Sequence, residues 1–170
     1  MDAYSPGSIV TRIQAEQPCL QLRLVLGTPG PGEQSLVELI ERPAPLPACA
    51  LEGLAFEPTD PCIFQLSGGT TGIPKLIPRT NNDYAYNSKV ASQVAFVDAD
   101  SVLLLVLPIA HNLPLACPGL QGFLFNGAKV VLHGNTRPAE MFKLIQQHRV
   151  THLKVVPALL IRLINDPAID

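Results

Sequence analysis

The chemistry-bearing residues concentrate in two places. The first is Ser67-Gly68-Gly69-Thr70-Thr71-Gly72-Ile73-Pro74-Lys75, which directly follows the apolar stretch Cys62 to Leu66. Glycines allow a backbone to approach a polyphosphate closely and to adopt φ > 0, so that successive N–H groups converge on anionic oxygens. Ser67, Thr70 and Thr71 add hydroxyl donors, Lys75 adds a positive charge, and Pro74 stiffens the exit from the loop. The spacing is not that of the Gly-x-x-x-x-Gly-Lys-Ser/Thr phosphate loop, because Pro74 intervenes before Lys75 and Leu76 follows it. A kinase or an ordinary P-loop ATPase is therefore disfavoured. A hairpin tip is the plain alternative, although a mere turn requires only one or two residues of turn chemistry. The second place is His111-Asn112, at the end of an apolar strand. From the residues alone, this pair reads first as a strand end followed by a helix cap, since Asn is a good N-cap, and only second as a site.

The elements that must position these residues alternate between apolar runs and amphipathic segments from Leu20 onward, the pattern of an α/β fold with a mainly parallel sheet. Strands are expected at Leu20 to Leu26, Cys62 to Leu66, Val102 to Leu107 and Lys129 to Leu132, and around Val155 and Val156, with a short extended stretch at Leu76 to Ile77. Gly27 to Gly32 is a turn, and Ser35 is the expected N-cap of a short helix through Glu41. Pro43 to Pro47 breaks the chain, and the segment as far as Pro61 reads as irregular connection. A helix beginning near Thr80 to Asn82 carries Tyr84, Val90, Ala91 and Val94 at helical spacing. Further helices are expected around Pro118 to Phe125, from Pro138 with Met141, Phe142, Leu144 and Ile145 inward, and over Leu159 to Ile164. Two parts follow: residues 1–60 as a partial preceding segment with its connection, and residues 61–170 as the segment carrying the loop and the His111 region.

Composition narrows the function. The 170 residues are 47% hydrophobic, enough for a substantial core, and only 15% charged with a net charge of −2. Such a balance does not build a surface for nucleic acid or anionic lipid, so small molecules or proteins are the expected partners. The N-terminus lacks the basic and apolar regions of a secretory signal, and the longest apolar run is far shorter than the roughly 20 residues that span a bilayer, so a cytoplasmic protein is expected. Cys19, Cys49, Cys62 and Cys117 form no Cys-x-x-Cys pair and are expected as reduced thiols. His148 and His152 are four apart but are expected on different elements and lack a third ligand, so no metal site is assigned.

Ser67 to Lys75 resembles the signature loop of the adenylate-forming superfamily. The closer resemblance is to free-standing aryl acid ligases that activate 2,3-dihydroxybenzoate or salicylate in siderophore assembly and nonribosomal peptide synthesis. It rests on Phe64-Gln65-Leu66-Ser67-Gly68-Gly69, on Lys75-Leu76-Ile77-Pro78-Arg79-Thr80 with Asn82-Asp83-Tyr84, and on Leu107-Pro108-Ile109-Ala110-His111-Asn112. Pro114-Leu115, Pro118-Gly119 and Val156-Pro157 continue it. The resemblance implies part of the large N-terminal domain of such an enzyme, which joins a carboxylate to AMP from ATP with magnesium and passes the acyl group to a carrier-protein or coenzyme thiol. It assigns the ATP phosphates to Ser67, Gly68, Gly69, Thr70, Thr71, Gly72 and Lys75. It places His111 near the α-phosphate and the acid, and gives Asn112 recognition of the aromatic acid through its ortho hydroxyl. Leu113 stands where these ligases often carry an aromatic residue and Cys117 where serine is common, which implies an acid pocket of altered polarity or shape. The family's later segments, including its acidic magnesium-associated residue, its ribose-binding aspartate and its C-terminal domain with a catalytic lysine, have no counterpart in this sequence. The expectation is a fragment inactive on its own, with a complementary chain as one possible partner. A non-catalytic module binding nucleotide or protein, and a truncated relic, are the competing expectations.

Overall fold

The structure is a computed structural model that describes residues 6–42, 48–68 and 72–169. The chain divides into two compact units, Met1–Leu54 and Ala55–Asp170. The expected break at Pro43 to Pro47 lies outside the described residues.

The first unit opens with helix α1 (Pro6–Glu16), for which the sequence reading held no element. Strand β1 (Leu24–Val25) pairs in parallel with β2 (Gln34–Ser35), so the strand expected over Leu20 to Leu26 shortens to two residues. Leu20, Leu22 and Leu26 find no partner strand and lie exposed. Gly27 and Gly32 take φ of 111° and 75°, as a turn between two strands demands. Helix α2 (Leu36–Glu41) begins as expected, with Ser35 Oγ accepting from the Glu38 N–H at 3.3 Å.

In the second unit, β3 (Pro61–Leu66) pairs antiparallel with β4 (Leu76–Thr80), and the polypeptide passes directly into α3 (Asn81–Val94). Thr80 caps α3 by accepting from the Asp83 N–H at 3.2 Å. Strand β5 (Val102–Leu105) is followed by two short helices, α4 (Asn112–Ala116) and α5 (Gly119–Phe125). Next come β6 (Lys129–Leu132), α6 (Pro138–His148), β7 (His152–Leu153) and α7 (Pro157–Ile164). The order β6-β5-β7, all parallel, makes β5 the central strand of an α/β layer.

The alternation of side chains along β5 builds two cores. Leu103 and Leu105 meet Val97, Phe123 and Ala128 on one face. Leu104, with Val106 beyond the strand, meets Met141, Leu159 and Leu163 on the other. Helices on both faces explain why this strand is a continuous apolar run. Pairing stops at Leu105, short of the expected Leu107, after the His133 N–H reaches the Leu105 carbonyl at 3.1 Å. The strand expected at Val155 and Val156 is displaced to His152–Leu153, which pairs with Leu103–Leu104. Val155 instead packs on the second core, while Val156 becomes the N-cap of α7 ahead of Pro157.

Helix α3 buries Tyr84, Ser88 and Ser92, whereas Val94 is exposed. Its buried stripe is polar because α5 approaches closely: a Cβ on Gly122 would lie 2.6 Å from Ser92 Oγ. Only small residues permit that approach. His148 ends α6, Arg149 takes the left-handed cap at φ 53°, and His152 lies on β7, so the two histidines occupy different elements as expected. His152 is a structural residue, with Nε2 2.9 Å from the Ala95 carbonyl and its ring edge-on to Phe123. The four cysteines are free thiols. Among the described residues no helix is long and apolar enough to cross a membrane.

Candidate active site

The segment from residue 67 to 75 connects β3 to β4, and its two ends are tied together. Ser67 N–H donates to the Lys75 carbonyl at 2.8 Å, and Lys75 N–H donates to Ser67 Oγ at 2.9 Å. The serine hydroxyl therefore closes the base of the loop and retains its own hydrogen to donate. Lys75 is exposed. Gly69, Thr70 and Thr71 lie outside the described residues. Gly68 does not take positive φ, and a Cβ on Gly68 or Gly72 would meet none of the described residues within 4 Å. Local backbone conformation thus does not require glycine at position 68.

The segment after β5 carries the second group. His111 is the N-cap of α4, extended at φ −104° and ψ 149°, and its side chain makes no capping hydrogen bond. Its carbonyl accepts from the Leu115 N–H at 3.1 Å, so the backbone begins the helix while the imidazole is left for other use. The cap expected of Asn112 falls instead on His111, and Asn112 is the first helical residue. His111 and Leu113 line one recess of about 370 Å³ together with Leu107, Pro108, Pro114 and Val156. This recess lies beyond the C-terminal end of the central strand, the usual side for ligands in parallel sheets. The structure thus joins two predicted residues, His111 and Leu113. Cys117, half-buried at the end of α4, is not among the lining residues.

Asn112 has a different neighbour. Its Oδ1 lies 3.5 Å from Arg79 Nη1, across 33 residues of sequence. Arg79 is itself held by Asp83, through Nε to Oδ2 and through Nη2 to Oδ1 at 3.0 Å, and its guanidinium lies 4.9 Å from the Tyr84 ring centroid. The hydrogen bond to Arg79 holds the Asp83 carboxyl below the usual aspartate range, and the same bond raises Arg79. Burial pushes the Tyr84 phenol up. Sequence reasoning gave Arg79 and Asp83 no role, although their i, i+4 spacing at the start of a helix is the signal of such an ion pair. Lys154 also escaped notice: partial burial lowers its ammonium, with the Cys117 thiol acting in the opposite direction.

Residues fit for nucleotide phosphate are present at the loop base, where Ser67 brings a hydroxyl and Lys75 an exposed ammonium. For magnesium the described residues offer no group of three or more His, Cys, Asp or Glu side chains that could hold an ion, so none is given a role toward it.

Comparison with known proteins bears on the same segments. The family described as AMP-binding enzyme matches residues 9–170. A salicylyl-CoA synthase / salicylate adenylyltransferase of a Streptomyces species is 43% identical over 157 residues, covering 90% of this chain and 28% of the relative. The 2,3-dihydroxybenzoate-AMP ligase of Bacillus subtilis is 39% identical, covering 93% of this chain and again 28% of the relative. The apo structure of MbtA from Mycobacterium smegmatis superposes with a TM-score of 0.77 at 38% identity, over 89% of this chain and 28% of that one. The chain therefore spans a little over a quarter of the length of the relatives it matches, among them aryl acid-AMP ligases. Across nearly its whole length, this chain belongs to the AMP-binding enzyme family of adenylate-forming proteins.

Proposed function

We propose that this chain carries the phosphate loop and part of the acid pocket of an aryl acid adenylating enzyme. The supporting observation is the convergence of His111 and Leu113 on one apolar recess just past the central strand, in a chain whose relatives include ligases named for salicylate and 2,3-dihydroxybenzoate. An apolar wall suits an aromatic ring, and a few polar groups at its rim would fix the carboxylate.

In the reaction, a carboxylate oxygen bonds to the α-phosphorus of ATP while the bond from that phosphorus to the β-phosphate bridge breaks, giving aryl-AMP and pyrophosphate. A carrier-protein thiol then takes the acyl group and AMP leaves. Ser67, Thr70, Thr71 and Lys75 hold the β- and γ-phosphates, with Gly68, Gly69 and Gly72 leaving room for their close approach. His111 stands at the α-phosphate and carboxylate, and Asn112, Leu113 and Cys117 shape recognition of the acid. Catalysis of this kind rests on positioning and charge neutralisation. Magnesium supplies charge neutralisation at the phosphates when bound.

The test is ATP–pyrophosphate exchange with a panel of aryl acids. It is run on the chain alone and on the chain mixed with a polypeptide supplying the remaining family segments, after circular dichroism has shown each to be folded. Exchange is expected in the mixture only, because the chain spans about 28% of such relatives. Exchange by the chain alone refutes the need for a complementary segment. Silence in both refutes the adenylation reading and leaves a non-catalytic binding module or a relic.

A further inference from the structure

The Arg79 side chain joins three elements, the consecutive β4 and α3 and the distant α4. It leaves the end of β4, forms two hydrogen bonds with Asp83 in the first turn of α3, and reaches Asn112 at the start of α4. With Nε and Nη2 committed to Asp83 and the Tyr84 ring at 4.9 Å, the guanidinium is restrained from two directions, and Nη1 is the group that faces Asn112. A guanidinium has only donors. Whatever faces it must accept, so across the 3.5 Å contact the Asn112 amide turns its oxygen toward Arg79 and its NH2 away. We propose that Arg79 is a positioning residue for acid recognition: it sets the Asn112 amide so that only N–H donors are offered to the bound acid, which selects an ortho substituent able to accept a hydrogen bond. This rests on the reading of Asn112 as a contact to the acid.

The selection has a clear chemical form. In salicylate the phenol hydrogen bonds to the molecule's own carboxylate, leaving the phenol oxygen's lone pairs free to accept from the amide. In 2-aminobenzoate one amine hydrogen does the same, but the second points outward and opposes an amide N–H. A fixed amide therefore favours salicylate, whereas an amide free to rotate can present its oxygen to the amine and accept both acids. Unmatched donors are costly once desolvated, which makes the preference large enough to measure.

The experiment compares binding of salicylate, 2-aminobenzoate and benzoate to the chain by NMR titration, and measures the order parameter of the Asn112 side-chain amide without ligand. Wild type is expected to prefer salicylate over 2-aminobenzoate by about tenfold or more, a ratio typical of one mismatched hydrogen bond. In Arg79→Met the ratio is expected to collapse toward unity and the Asn112 amide to become mobile. A general loss of stability would weaken all three acids alike and leave their ratios in place. Asn112→Asp keeps an acceptor for Arg79 but has no N–H to offer, and it is expected to invert the preference toward 2-aminobenzoate. That inversion decides the matter should Arg79→Met not fold. An Asn112 amide as ordered in Arg79→Met as in wild type, or a preference unchanged in either variant, overturns the proposal. If the chain alone binds none of the three acids, the titrations are read on its mixture with the complementary polypeptide, where silence refutes the adenylation reading, and the amide order parameter still judges whether Arg79 positions Asn112.

Discussion

Two regions of the second unit use similar side chains in opposite environments. Along β5, Leu103 and Leu104 are fully buried and Leu105 is 2% exposed. Along β3 and β4, Phe64, Leu66 and Leu76 are 60–64% exposed and no residue is buried. The first region derives its stability from apolar burial on both faces of a central strand. The second is held by its antiparallel ladder, by the Ser67–Lys75 closure and by the Arg79–Asp83 joint to α3. The scaffold and the hairpin that carries the residue 67–75 loop are thus supported by different interactions, and substitutions should separate them.

The largest effect is expected in the scaffold. Phe123→Ala or Leu103→Ala should cost about 3–5 kcal/mol in urea denaturation, since each empties a fully buried site. Leu66→Ala in the hairpin should cost no more than about 0.5 kcal/mol, as befits an exposed side chain. Equal costs would break the contrast. Next comes Gly119→Ala, expected to lose about 1–3 kcal/mol, because Gly119 sits at φ +39° and a Cβ there would fall within 3.0 Å of the Leu113 and Pro114 carbonyls. A wild-type melting temperature in that variant would show that the α4–α5 junction relaxes freely.

Acid should then sharpen the description of the hairpin joint. Asp83 titrates below the ordinary aspartate value of 3.8 when folded, owing to its bond with Arg79. Its stabilising contribution is complete above that value and is lost as pH falls through the depressed folded value. The thermal midpoint of wild type should accordingly fall more steeply on acidification than that of Asp83→Asn. Parallel curves would show that the ion pair adds nothing to stability. Smallest for the fold is Lys75→Ala, expected to leave stability unchanged to within about 0.5 kcal/mol while weakening nucleotide binding by tenfold or more, the scale of a lost charged contact. A loss of stability there would tie the loop to the scaffold after all.

Much of this arrangement was legible in the residues. Ser35 as a cap, Pro138 opening a helix and β6 at Lys129–Leu132 each follow from local chemistry and appear as expected. The α3 face was legible only at Tyr84, because the other buried residues, Ser88 and Ser92, are serines suited to the close approach of α5 rather than to hydrophobicity. Nor was β7: Val155 and Val156 have the stronger strand propensity, yet Pro157 draws Val156 into a helix cap and pairing shifts to His152–Leu153. Of the candidate site, the loop and the His111 segment were visible as unusual residue strings. Arg79 was visible only as one residue within a longer resemblance.

By itself, then, the sequence determined the alternation of strands and helices, the apolar central strand and the identity of the groups proposed for phosphate and acid. These depend on residue type and short-range spacing, which the chain carries wherever it goes. Tertiary structure alone decided that His111 and Leu113 share a recess with Val156, and that Arg79 turns the Asn112 amide. Those contacts span tens of residues, and they exist only when separate strands and helices have been brought together by the burial of β5.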